Sequence, residues 1–335
     1  MSFGGIGRRV LDTAKRWGRG SPPPRAPTQA IAIDPSALVD DALPATMRAA
    51  EERRRHTARE IRTARTERSA DAIEVFVASV RHLPLFSGTA TQLIRSAGQE
   101  NISARELVRL ISTDAGLVAH LLRIVNSPFF GFARRLATVG DALAVLGIDH
   151  VRRTVTAAVL QRPLMSYLHD SEVVRTFWRH ELLCAALARH IATRRGAHSE
   201  IAYMAGLMHD VGRLAMLMQH PAQADVLLHV QGDDDHGALD REYHEFGFDH
   251  AQAGGALLEQ WGLPRQIVLA ANEHADEVEP DDAISACVWQ ANLLTHEMFA
   301  VGEEAEEIQL PWMIGIGLSV NERRQILGEI QAFES

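Results

Sequence analysis

The chain has 335 residues, 46% of them hydrophobic, which is enough to bury a substantial core without disulfides or other staples. Residues 1–70 carry 14 Lys+Arg and 8 Asp+Glu, a net of +6; subtraction from the totals of 34 and 43 leaves 20 and 35, a net of −15, for the remainder. Such an acidic body repels phosphate backbones, so nucleic acid is not an expected partner.

No uninterrupted apolar run approaches the roughly 20 residues that span a bilayer, and the N-terminus lacks the apolar centre of a secretory signal. Cys184 and Cys287 lie far apart in apolar runs with no metal-type or redox spacing, and read as reduced packing residues. These features together place the chain in the cytoplasm. Lys15 is the sole lysine, so an arginine at any one position carries less meaning than usual.

Residues 1–43 form a basic tail and linker expected to be largely disordered. Within them, Phe3, Ile6, Val10 and Trp17 share one potential helical stripe over residues 2–19, a pattern compatible with weak membrane-surface or partner contact, although two early glycines oppose a helix. "GSPPPRAPTQ" at 20–29 is a Pro-rich linker. Residues 44–70 are Arg/Glu-rich with opposite charges three or four apart and predict a solvated connector helix. Apolar residues then dominate in "ADAIEVFVASVRHLPLF", the first buried helix, ending near Leu83-Pro84.

From there the 3.6-residue apolar period recurs. Ser103 and Glu106 have capping-box spacing before Leu107, Leu110 and Ile111, and Ser319 and Glu322 repeat it before the last helix. "NSPFFGF" combines a helix stop at Asn126-Ser127-Pro128 with Phe129 and Phe130 as buried anchors, a joint docking the N-terminal half onto the C-terminal half. "QGDDDHG" at 231–237 is a polar loop, and "WGLP" at 261–264 a helix exit. No segment after residue 70 alternates as a strand would. The fold class is all-α, in two packed helical subdomains spanning 71–168 and 169–300, with a C-terminal loop and helix at 301–335 packing on them.

Five positions stand out chemically: His180, His209, Asp210, His250 and His274. Imidazole and carboxylate suit Zn, Mn or Fe, and side chains from several helices of a bundle can converge on one ion. Spacing alone does not single them out among 16 histidines, and for each the alternative is a hydrogen-bonded core residue. For the His-Asp doublet that alternative has Asp210 accepting backbone N–H bonds at a helix start and His209 bridging two helices.

The stretches "FWRHELLCAALARHIA", "YMAGLMHDVGRLAML", "EFGFDHAQAGGALLEQWGLPRQIVLAANEH" and "NSPFFGF" resemble the HDOD family, signalling-associated relatives of the HD phosphohydrolases, over roughly residues 76–298. The resemblance implies that the C-terminal subdomain is HD-like and that His180, His209 and Asp210 correspond to metal ligands. It implies Asn292, in "VWQANLL", at the position of a further ligating Asp, which makes that position degenerate, because an amide keeps an oxygen but no charge. His250 and His274 match the extra histidines of the related HD-GYP enzymes, whose Gly-Tyr-Pro motif is absent here, and Arg213 stands where those enzymes carry Lys. The implied function is a non-catalytic or weakly catalytic signalling output module that works through protein contacts with signalling partners. Its possible cofactor is a divalent Fe, Mn or Zn ion. The alternative is a metal-dependent phosphohydrolase of a nucleotide or cyclic nucleotide, with Asp210 in the catalytic centre. Oligomeric state is left open by the sequence.

Overall fold

A computed structural model describes residues 45–80, 92–95, 102–132, 135–168, 172–227, 235–301, 313 and 315–334. The tail and stripe at 2–19, the linker at 20–29, "LPLF", most of the polar loop at 231–237 and the loop after residue 301 lie outside the described residues. Every regular element among the described residues is helical, as the periodicity requires.

Helix α1 (Ala45–Val80) joins the expected charged connector and the first buried helix into one element. It contains no Gly or Pro to break it, and its second half acquires a buried side at Ser69, Phe76 and Val80. The N-terminal half continues as α2 (Ala104–Ser112), α3 (Ala115–Val125), α4 (Val139–Leu146) and α5 (Ile148–Leu168). The Ser103 hydroxyl accepts from Glu106 N–H at 3.2 Å and caps α2. Leu107, Leu110 and Ile111 fall on its buried side, as their spacing dictates.

The C-terminal half contains α6 (Glu172–Arg195), α7 (Ser199–Met208), α8 (Val211–Gln219), the short α9 (Ala224–Leu227), α10 (Asp235–Phe246), α11 (His250–Gln260), α12 (Arg265–Glu273) and α13 (Ala283–Val301). Asp235 to Gly237, expected in the polar loop, form the first turn of α10 instead. Helices α6, α7, α12 and α13 pack on one another, and α8 packs on α11. Trp261 ends α11, and Gly262 takes a left-handed φ of 71° before Leu263 N–H closes on the Leu258 carbonyl at 3.1 Å, so "WGLP" is the expected exit. Both cysteines are buried and unpaired with each other.

Helix α5 joins the halves by packing on α6, α7 and α8. Both Glu200 oxygens lie 2.7 Å from Arg153 Nη1, and the Arg153 guanidinium also lies over the Tyr203 ring. The Phe pair in "NSPFFGF" departs from expectation. Phe129 is 39% exposed and lies against Gly328 of the last helix, α14 (Val320–Glu334). Phe130 is partly buried, edge-on to His150. The turn is instead pinned by Asn126, whose amide donates to the Leu122 and Leu136 carbonyls and whose oxygen accepts from Leu136 N–H. Through Phe129 it docks α14, and the two Phe rings pack edge-on against each other with centres 5.1 Å apart.

Candidate metal centre

Two glycines beside the His-Asp doublet explain how the helices close around it. Gly206 on α7 faces α6 so closely that a Cβ there would come within 2.8 Å of Ala185 Cα. Gly212 on α8 lies against the His250 carbonyl and Gly254 of α11, where a Cβ would collide with backbone. Only hydrogen fits at either place. Backbone contact on both sides brings His180 of α6 and His250 of α11 to the doublet, which occupies the junction between α7 and α8. His274 closes the site from the end of α12.

All five sequence-identified residues therefore meet. His180, His209, Asp210, His250 and His274 are each at most 2% exposed. The His250 and His274 Nε2 atoms lie 3.1 Å apart, and each is 3.2–3.3 Å from Asp210 Oδ1. On the opposite side, His180 and His209 Nε2 are 3.3 Å apart, while Asp210 Oδ2 lies 3.9 Å from His209 Nε2. Asp210 thus joins two ligand groups, one tight and one looser.

The outer ring nitrogens fix which atoms face inward. His209 Nδ1–H donates to the Gly206 carbonyl at 2.7 Å, and His274 Nδ1–H to the Ala271 carbonyl at 2.9 Å. A carbonyl only accepts, so both Nδ1 atoms carry the proton and both Nε2 atoms present a lone pair to the centre. His250 Nδ1–H donates to Glu242 Oε2 at 2.6 Å, the carboxylate–histidine arrangement that orients imidazole ligands. Donors about 3.2 Å apart match the separation of ligands bound about 2.1 Å from a common ion. The donor set fits a divalent cation.

Charged groups in contact with these ligands balance them in part. Arg213 Nη1 lies 3.0 Å from Asp210 Oδ2, and its Nε lies 3.8 Å from Glu242 Oε1. Burial raises the Asp210 carboxyl pKa, but Arg213, His209 and His250 outweigh it and hold that carboxyl well below the usual range. Burial and Arg213 lower the His250 pKa, yet Glu242 and Asp210 bring it to about 10. A cation at His250 Nε2 competes with a proton there, so metal binding is coupled to pH.

Some functional neighbours were not evident in the sequence. Glu181 follows His180 and approaches His209 Nδ1 at 3.4 Å. Glu242 lies in the charged run "DREYHEF", which resembles a solvated face until α10 turns it inward. His296 packs on His180 with ring centres 4.9 Å apart, one turn after buried Asn292. Its four-residue offset from Asn292 was the available signal. Asp210 stands at the helix start expected for a cap, but its side chain makes no capping bond, because Arg213 and the histidines engage both oxygens.

An all-α fold with a buried His–Asp centre at a helix junction defines the HD-like class. The HDOD domain family model matches residues 83–277, and the chain belongs to that family. An uncharacterized protein of Treponema pallidum (strain Nichols) is 24% identical over 219 residues, covering 64% of this chain and 41% of that protein; the chain thus spans about two fifths of this relative's length. Two solved structures share the fold. "Putative signal transduction protein" of Marinobacter aquaeolei VT8 has a TM-score of 0.62 at 22% identity, covering 82% of this chain and 66% of that one. "Putative phosphohydrolase" of Shewanella amazonensis SB2B has a TM-score of 0.58 at 18% identity, covering 78% and 96%. Among the described residues no helix is long and apolar enough to cross a membrane.

Proposed function

We propose that the chain is a cytoplasmic regulatory output module of the HDOD type, which works through contacts with signalling proteins and uses its His–Asp centre to hold a divalent Fe, Mn or Zn ion as a fixed part of the fold. The observation that carries this reading is enclosure. His180, Glu181, His209, Asp210, Glu242, His250 and His274 are all at most 2% exposed. A phosphoester has to reach an ion in order to be polarised by it. A closed centre instead locks α6, α7, α8, α11 and α12 together, adding its binding free energy to the stability of the fold.

Helix α1 couples this centre to the rest of the chain. Arg62 pairs with Glu273 and Asp276, which flank His274, and Arg65 pairs with Asp240 and with Asp249, the cap preceding His250. A partner that shifts α1 acts on the residues beside two ligands. Output through this face needs no turnover.

The second reading, a metal-dependent nucleotide or cyclic-nucleotide phosphohydrolase, draws on the two ligand groups that share Asp210. A bound ion there supplies Lewis acidity and a more acidic water, while Asp210 and the histidines orient it. One experiment separates the readings: elemental analysis of the full chain purified without chelator or affinity metal, beside Asp210→Ala, with both proteins assayed for phosphate release from nucleotides and cyclic dinucleotides. Near-stoichiometric metal lost in Asp210→Ala, with no phosphate release from wild type, supports the regulatory reading. Metal-dependent release abolished by the substitution establishes the hydrolase. Absence of metal from folded wild type refutes the metal centre in both.

A further inference from the structure

We propose that the centre is built for one divalent ion, held by Asp210 Oδ1, His250 and His274, and that the Arg213 guanidinium is its permanent second cation. The inference rests on the metal-holding reading above and specifies which half of the ligand cluster takes the ion. Two ligand groups that share a carboxylate suggest a two-ion site. Arg213 argues against it.

Geometry separates the two halves. Asp210 Oδ1, His250 Nε2 and His274 Nε2 form a triangle with sides of 3.1–3.3 Å. The His180–His209 half has its nitrogens 3.3 Å apart, but its carboxylate oxygen, Oδ2, stands 3.9 Å from His209 Nε2 and only 3.0 Å from Arg213 Nη1. The guanidinium thus engages the Asp210 oxygen on that side, and the other carboxylate there, Glu181, lies 3.4 Å from His209 Nδ1, the ring nitrogen whose hydrogen is given to the Gly206 carbonyl. Arg213 Nη2 lies 3.3 and 3.2 Å from His250 Nδ1 and Nε2. Near-equal distances place it over the ring face, since an in-plane approach between the two nitrogens would collide with Cε1. From there it leaves the in-plane Nε2 lone pair pointing at the triangle.

Charge gives the same count. Glu181, Asp210 and Glu242 are three buried carboxylates in this cluster, and Arg213 contributes one positive charge. With all three carboxylates ionised and the imidazoles neutral, one divalent ion brings the sum to zero, whereas two ions leave an excess of +2 in a buried interior, where uncompensated charge is strongly disfavoured. The helix register fixes this arrangement, because Arg213 is three residues beyond Asp210 and on the same face of α8.

The test is metal stoichiometry of the full chain, equilibrated with Mn²⁺ and then with Zn²⁺, freed of excess ion and measured by elemental analysis, with circular dichroism to confirm folding. Wild type is expected to hold one ion, Arg213→Gln two, and Arg213→Lys one. His274→Ala is expected to lose the ion and His180→Ala to keep it. Two ions in wild type, or one in folded Arg213→Gln, overturns the proposal, as does an ion lost in His180→Ala but retained in His274→Ala. If Arg213→Gln fails to fold, the two histidine variants decide. Wild type that holds no ion instead overturns the metal-holding reading on which the proposal stands.

Discussion

Glu242 holds His250 at two points through a single carboxylate oxygen, which accepts the backbone N–H at 2.8 Å and the ring Nδ1–H at 2.6 Å. This fixes both the first turn of α11 and the orientation of its imidazole. In Glu242→Gln a neutral oxygen replaces the charged acceptor, and the ring loses the electrostatic support that raises its basicity. Metal affinity is expected to fall about 10- to 100-fold, measured by competition against a zinc-binding dye. An unchanged affinity in a folded variant would show that the carboxylate does not support a ligand.

Gly212 tests the helix approach that assembles the centre. A Cβ at this position collides with the His250 carbonyl and with Gly254 backbone, neither of which can move without separating α8 from α11. Gly212→Ala is expected to cost about 4 kcal/mol or more, in the range reserved for severe core lesions. Gly140→Ala serves as a control, since its new Cβ meets only the Thr138 hydroxyl, at 3.6 Å, in an exposed turn of α4. There alanine is expected to stabilise by roughly 0.5 kcal/mol. Thermal melts of both proteins check the contrast, and similar melting temperatures would contradict it.

His150 makes stability in the N-terminal half depend on pH. Burial, reinforced by Arg153 and Arg189, pushes its imidazole down to about 4 from an ordinary 6.5. Between those values the unfolded chain binds a proton that the folded chain does not, so stability falls as pH drops from 6.5 to 4 and levels off below. The loss attributable to this residue is on the order of 3 kcal/mol. Denaturant titrations across this pH range should show a shallower slope in His150→Gln. Parallel curves would assign the dependence to other groups.

The Arg153–Glu200 pair is expected to matter through what its loss leaves behind. Glu200 also lies 3.9 Å from Arg152, and both arginines are almost fully buried. Glu200→Gln strands the Arg153 charge between α5 and α7, while Arg152 keeps Asp149 at 3.0 Å, and a cost of roughly 3 kcal/mol is expected, measured by urea unfolding. Double substitution Arg153→Met/Glu200→Leu should recover much of it, because a buried pair contributes mainly by avoiding an unpaired charge. Failure of the double variant to recover would show that the pair also sets local geometry.

Sequence by itself determined the helical class and much of the site. The 3.6-residue period of Leu107, Leu110 and Ile111 selects their buried side, and Ser319 with Glu322 closes both halves of a capping box at α14, because these interactions act within one or two turns. The motif stretches also single out His180, His209, Asp210, His250 and His274, which the fold brings together. Local pattern was insufficient where a residue's environment comes from distant chain. The charged run around Glu242 and the arginines of α1 resemble solvated faces, yet Glu242 is fully buried against His250, and Arg62 reaches Asp276 across more than two hundred residues. Likewise, nothing local in Asp-x-x-Arg distinguishes an exposed helical ion pair from Arg213 stacked over His250. Only the backbone approaches at Gly206 and Gly212 decide that, since they bring the helices into contact and turn a one-turn spacing into a buried constellation of charge.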